Sequence, residues 1–237
     1  MIQISNLTKK FGSKVAVNKL NLEVKKGELF GFLGPNAAGK TTTIKLLTGL
    51  LRPTEGSIKI SGYDMQKDYV KAKCLLSYIP DTPYLYEKLT AREFLRFICE
   101  IYLLDGKESQ KKIEEYIEFF SLKEYENALI EEYSHGMRQK VVIIAALIHN
   151  PDIIIVDEPM VGLDPKTTKL VKDIFKSSSK NGKTIFMSTH TLSLAEEICD
   201  RICIIDNGNL IAIGTLEELR KKSGIDGRLE EIFLKLT

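Results

Sequence analysis

Short runs rich in β-branched and aromatic residues, bounded by Gly, Pro or charged side chains, open the chain: Ile2 to Leu7, Leu20 to Val24, Leu29 to Leu33 and Ser57 to Ile60. Such runs predict strands. Between about Thr90 and His149 the apolar spacing changes to three and four. Phe94, Phe97, Ile98 and Ile101 then share one predicted helix face, and Ile113, Ile117 and Phe120 another, so a helical insertion is expected. From Asp152 the short runs return as Ile153 to Val156, Thr184 to Ser188 and Arg201 to Ile205, separated by helical stretches such as Thr167 to Ser178. This alternation predicts βαβ units and an α/β fold. Ile153 to Val156 carries no polar alternation, as expected of a central strand covered on both faces. Near the C-terminus Leu229, Ile232, Phe233 and Leu236 fall at helical spacing and predict a packing helix, not a membrane-surface anchor. No internal repeat or Gly/Ser linker interrupts the pattern, so the halves are expected to pack together.

One segment between a strand and a helix carries chemistry. Gly34-Pro35-Asn36-Ala37-Ala38-Gly39-Lys40-Thr41 matches GxxxxGK[ST], directly after Leu29 to Leu33 and before a helix bearing Ile44, Leu47 and Leu50. A loop around a polyphosphate turns successive backbone N–H groups inward, and Gly34 and Gly39 permit backbone angles and close approaches that a side chain blocks. The following helix adds its positive end. Lys40 is expected to reach the β- and γ-phosphates, Thr41 to ligate Mg²⁺ and Thr42 to meet the α-phosphate.

A second set of groups belongs with it. The buried run Ile153 to Val156 ends in Asp157-Glu158, and Pro159 stops the strand. Strand alternation sends the two carboxylates to opposite sides, so they can take different tasks: Asp157 in the Mg²⁺ shell, Glu158 on the attacking water. His190 follows the run Thr184 to Ser188, at the carboxyl end of a second parallel strand, where such sheets bind ligands. A γ-phosphate contact is expected of it.

Composition narrows the classes. A chain of 237 residues spans one to two compact units and needs no disulfide or metal to hold a core. Cys74, Cys99, Cys199 and Cys203 form no CxxC pair and lack His partners at ligand spacing, so reduced thiols are expected. With 34 basic and 32 acidic residues the net charge is +2, no global attraction for nucleic acid. The longest stretch free of charged side chains, Thr184 to Ala195, has twelve residues, whereas a membrane span needs about 20. No export signal opens the chain, and a cytoplasmic location is expected.

A phosphate loop and an acidic strand suit kinases, GTPases and recombination ATPases alike. Tyr133-Ser134-His135-Gly136-Met137-Arg138-Gln139 separates them. It precedes a helix with Met137, Val141, Ile144, Ala145 and Ile148 on one side, and places Ser134 as an N-cap with bare N–H groups at Gly136 and beyond, a second anion-binding end. It resembles the signature motif of ATP-binding-cassette proteins, and the resemblance covers nearly the whole chain. Phe11, in Thr-Lys-Lys-Phe-Gly, stands where that family stacks adenine. Ile79-Pro80-Asp81 lies where its Q-loop begins, and Gly162-Leu163-Asp164-Pro165 looks like its D-loop.

The resemblance implies a P-loop NTPase core with a mostly parallel sheet, an N-terminal antiparallel β subdomain and an α-helical insertion subdomain. One nucleotide-binding domain, 1–237, is expected, with its core about 1–80 and 151–225, its helical part about 81–150 and a C-terminal helix about 226–237. ATP and Mg²⁺ are the implied cofactors. Gly34 to Thr42, Phe11, Asp81, Ser134 and Gly136 are the implied nucleotide contacts, and Thr41, Asp157 and Asp81 the metal contacts. Lys40, Glu158 and His190 are the implied catalytic groups. In that family one chain's signature closes on the other chain's ATP, so a homodimer, or a heterodimer with a homologue, is expected. The expected function is the ATPase of an exporter-type transporter, cytoplasmic and peripheral on the inner face of the cell membrane, acting on a separate permease, with no nucleic acid partner. The alternatives are an ATPase or clamp of the same family acting on nucleic acid or ribosomes, and a small-molecule kinase.

Three positions depart from the family pattern. Asp81 replaces a Gln, and His135-Gly136-Met137 replaces Gly-Gly-Gln, a variant similar to members serving separate exporter-type subunits. Ala37 replaces a loop glycine, and φ < 0 is predicted there because positive φ costs an alanine about 1–2 kcal/mol.

Overall fold

A computed structural model describes all residues, Met1 to Thr237. In chain order the first half gives β1 (Ile2–Phe11), β2 (Lys14–Val24), β3 (Leu29–Leu33), α1 (Lys40–Leu47), β4 (Glu55–Ile60), β5 (Tyr63–Asp64), α2 (Tyr69–Cys74), β6 (Leu76–Ile79), α3 (Ala91–Ile101) and α4 (Gly106–Phe119). The second half gives α5 (His135–Ile148), β7 (Ile153–Asp157), α6 (Pro165–Lys180), β8 (Thr184–Thr189), α7 (Leu192–Ile198), β9 (Arg201–Asp206), β10 (Asn209–Gly214), α8 (Leu216–Ser223) and α9 (Leu229–Leu236).

Two sheets form. The antiparallel one runs β2-β1-β4-β5; the other runs β10-β9-β3-β8-β7-β6, parallel throughout except for β10 on its edge. The fold is therefore α/β with an antiparallel N-terminal sheet. The β1–β2 hairpin extends past the predicted Leu7 as far as Phe11. Buried Thr8, whose hydroxyl accepts from Lys19 N at 3.1 Å, carries the strand through a polar stretch. Gly12 and Ser13 close the hairpin, with Gly12 at φ 58°, the conformation a two-residue turn demands.

The β7 side chains divide between two cores, as an uninterrupted apolar run requires. Ile154 and Val156 join a cluster of 27 buried residues under α3, α4, α5 and α6, whereas Ile153 and Ile155 join one of 23 beneath the antiparallel sheet and α1. Truncating any of the three isoleucines to Ala costs about 2–5 kcal/mol. A smaller cluster packs Leu219, Leu229 and Ile232 of α8 and α9 against β9 and β10. No helix is long and apolar enough to cross a membrane.

One predicted face needs correction and a second is extended. On α3 the buried positions are Ala91, Phe94, Leu95 and Cys99, while Phe97 and Ile101 are exposed. Apolar residues fill more than half of this helix's circumference, opposite Arg92, Glu93, Arg96 and Glu100, so spacing alone did not select the buried part of that wide side; Phe97 packs edge-to-face on Tyr86, with centroids 5.6 Å apart. On α5 the predicted side is joined by buried Val142, Ile143, Ala146 and Leu147, so its second half is enclosed.

Candidate nucleotide site

The loop between β3 and α1 is wedged between two strands, and its glycines make the fit possible. A Cβ on Gly34 would lie 2.4 Å from Ile205 O, and one on Gly39, at φ 105°, 2.4 Å from Ala16 O. Gly208 N donates to Ala38 O at 2.9 Å and clamps the far side. Within the loop, Ala38 N donates to Pro35 O at 3.2 Å and Ala37 has φ 63°. The predicted negative φ at Ala37 is thus wrong. Positive φ at the third residue of a hydrogen-bonded four-residue turn is what a type II turn requires, and closing the loop outweighs the alanine's preference.

The Lys40 ammonium donates to Gly34 O at 2.7 Å and Pro35 O at 3.0 Å. Burial lowers its pKa, against the opposing pull of Glu158 and Asp157. Asp157 ends β7 opposite Ser188 and is 2% exposed, and no donor reaches its Oδ2. Burial pushes its carboxyl above the ordinary carboxylate range. A buried carboxylate oxygen without a donor, in one cleft with the Thr41 hydroxyl, is a donor set that fits a hard divalent cation such as Mg²⁺.

Glu158 lies just beyond β7 at φ 49°. That left-handed turn, and not strand alternation as expected from sequence, directs its side chain. Its carboxylate accepts from Thr189 Oγ1 at 3.0 Å and from His190 N at 2.8 Å, and lies 2.7 Å from His190 Nδ1. The His190 side chain remains 61% exposed.

Lys40, Thr41, Thr42, Asp81, Asp157, Glu158, His190 and Phe11 line one cleft of about 550 Å³, together with Asn36, Ala37 and Gly39. Phe11 is half-exposed, with Lys9 Nζ 5.1 Å from its ring centroid. Gly34, Pro35 and Ala38 do not line the cleft; they shape the loop from behind. Lys14 and Ala16 line it without having been expected. The signal for them was Gly12-Ser13, a hairpin turn that returns β2 beside Phe11. Asp81 accepts from Thr82 N at 2.8 Å. With Thr41 it also borders a neighbouring groove of about 530 Å³, walled by Tyr78, Tyr84, Phe94, Ile98, Tyr102 and Val142.

Ser134 and Gly136 are not brought into the cleft. Ser134 caps α5, accepting from Met137 N at 3.3 Å, and is exposed. Gly136 faces Gly162, where a Cβ would come 2.9 Å from the Gly162 carbonyl oxygen, and the His135 ring covers Gly162, which has φ 77°.

A phosphate loop at the carboxyl end of a parallel sheet, with an acidic strand beside it, defines a P-loop nucleotide-binding site. Residues 17–161 match the family model described as ABC transporter. The chain is 40% identical over 226 residues to the linearmycin resistance ATP-binding protein LnrL of Bacillus subtilis (strain 168), covering 95% of this chain and 73% of LnrL. A structure titled as the ATP-binding subunit of an ABC transporter superposes with a TM-score of 0.95 at 33% identity, covering 100% of this chain and 99% of that one. A dimeric ATP-binding cassette in a post-hydrolysis state bound to ADP and Pi superposes at 0.84 with 27% identity, covering 91% and 99%. The chain belongs to the ABC transporter family and is an ATP-binding, ATP-hydrolysing cassette.

Proposed function

We propose that the chain is the ATPase subunit of an exporter whose channel is a separate permease, and that two cassettes close around two ATP molecules. The carrying observation is a mismatch within one chain. The phosphate loop, Asp157, Glu158 and His190 share a cleft, while the serine-capped end of α5 lies outside it. An anion-binding helix end that cannot reach its own chain's phosphates is suited to another's. The dimeric relative and the resistance protein named above support the reading.

Phe11 stacks on adenine, and Lys40 with the loop N–H groups holds the β- and γ-phosphates. Thr41 and Asp157 would hold Mg²⁺, with Asp81 beside them; the ion supplies charge neutralisation at the phosphates. Water attacks the γ-phosphorus as its bond to the β-γ bridging oxygen breaks. Glu158 takes the water's proton, and ADP leaves with the bridging oxygen. His190, which orients Glu158, contacts the γ-phosphate. Ser134 and Gly136 of the second chain exclude water and stabilise the developing charge. The permease seats a coupling element in the groove that shares Asp81 and Thr41 with the cleft.

Glu158→Gln keeps the shape and removes the base. Light scattering is expected to show a dimer with ATP and a monomer without it; a monomer under both conditions refutes the closure mechanism.

A further inference from the structure

Arg138 sits on the first turn of α5 and uses each edge of its guanidinium. Nε donates to Tyr133 O at 3.2 Å, Nη2 to Glu131 O at 2.9 Å and Nη1 to the Glu87 carboxylate at 2.7 Å. Tyr133 and Glu131 belong to the turn leading into Ser134. Glu87 belongs to the segment that leaves Asp81 and passes Tyr84 along the groove. The same segments are joined through their backbones: Glu131 N donates to Glu87 O at 3.1 Å, Ile130 N to Leu89 O at 2.9 Å, and Thr90 bridges Leu129 in antiparallel fashion. Lys88 and Glu131, 2.6 Å apart, close the outer side. The result is a short strap, Glu87 to Thr90 against Leu129 to Glu131, that ties the groove's lip to the chain entering the signature helix.

The strap fixes where the two segments run; Arg138 fixes how α5 meets them. Tyr133 is anchored separately, its hydroxyl donating to Tyr125 O at 2.7 Å. The main chain from Glu131 to Ser134 is therefore held to the helix through the Arg138 fork. A lysine offers one rotatable point charge and cannot serve three acceptors in this planar arrangement.

We infer that Arg138 is a positioning residue: by locking the strap to the first turn of α5 it sets the angle at which Ser134 and the bare N–H groups meet the nucleotide of a second cassette. This rests on the closure proposed above. Arg138 does not line the nucleotide cleft, and its partner Glu87 is more than half exposed, so the ion pair adds little to folding stability. Removing it impairs closure more than nucleotide capture.

The test uses the purified Glu158→Gln chain. A fluorescent ATP analogue is titrated at dilutions where the chain is monomeric, and the ATP-dependent dimer constant is measured by sedimentation. Arg138→Ala and Arg138→Lys are expected to bind nucleotide within about twofold of the parent and to dimerise about tenfold more weakly, or worse, a loss of roughly 1.4 kcal/mol. Amide exchange over residues 133–137 is expected to quicken. Glu87→Ala should weaken dimerisation in the same direction, and combining it with Arg138→Ala should add nothing. Parent-like dimerisation of Arg138→Ala overturns the inference, as does an equal loss of monomer nucleotide affinity, which marks a general defect. Should Arg138→Ala fail to fold, Glu87→Ala decides, and its dimerising normally overturns the inference. A parent that stays monomeric with ATP overturns both this inference and the closure reading; a dimerising parent with indifferent variants overturns this one alone.

Discussion

Ala37 and Glu158 both carry positive φ, 63° and 49°, without being glycine. Strain at two cleft residues is retained because the geometry it enforces is used, one to wrap the loop and one to aim a carboxylate. For Ala37 the opposing terms can be weighed. Ala37→Gly removes about 1–2 kcal/mol of left-handed strain and adds about 0.4–1 kcal/mol of unfolded-chain entropy cost. A net gain of about 0.5–1 kcal/mol is expected, which raises Tm by roughly 1–4 °C for a chain of this size. Ala37→Val should lower it, because a β-branched residue tolerates positive φ poorly. Calorimetry on the two variants checks the order, and a lower Tm for Ala37→Gly would show that Ala37 is relaxed. The loop's residues were legible because they are adjacent in sequence. The φ of Ala37 was not, since it follows from the turn bond between Ala38 N and Pro35 O and from the strands on either side.

Where α5 ends against β6, His149 stacks on Tyr102 of the α3 end, with ring centroids 3.7 Å apart and planes 12° apart. Both ring nitrogens are buried, and burial depresses the pKa of His149 below its ordinary value, against the opposing pull of the Ala145 and Leu76 backbones. The sign follows from linkage. A histidine held neutral in the folded state contributes stability that is present above its unfolded pKa, near 6.5, and is lost as pH falls toward the depressed folded value. In that window stability should decline by up to about 1.4 kcal/mol per pH unit from this group. His149→Gln, which cannot be protonated, should lack that part of the slope. Thermal melts from pH 7 to pH 5 compare the two, and parallel curves would show that His149 does not titrate differently on folding. Legibility differs among the elements for a related reason. The β7 run was readable because burial on both faces leaves no polar position to misplace. The α3 stripe was not, because Tyr86, from a segment outside any helix, packs against Phe97 on the side the spacing had assigned to the core. Edge strands β5 and β10 and helices α2 and α8 escaped notice because each is only two to eight residues long, too short for its spacing to show a period.

The two anion-binding ends point to different clients at the scale of the molecule. The first turn of α1 lines the cleft beside Asp157 and Glu158, while the Ser134 end of α5 stands exposed on the helical part. The rate law tests whether the second end is needed. If ATP is hydrolysed only between two chains, activity at saturating ATP should vary with the square of protein concentration well below the dimer constant, and in direct proportion well above it. A tenfold dilution then costs about 100-fold in total rate at the low end, where mass action holds the chains apart. A self-sufficient cleft, as in a small-molecule kinase, gives about tenfold at every concentration. Ser134→Glu, which sets a carboxylate at the helix end that would face the other chain's γ-phosphate, should abolish turnover while the monomer still binds nucleotide. First-order dependence over the whole range, with Ser134→Glu fully active, would mean that a single chain encloses its own nucleotide and that the exposed end of α5 is only a capped helix.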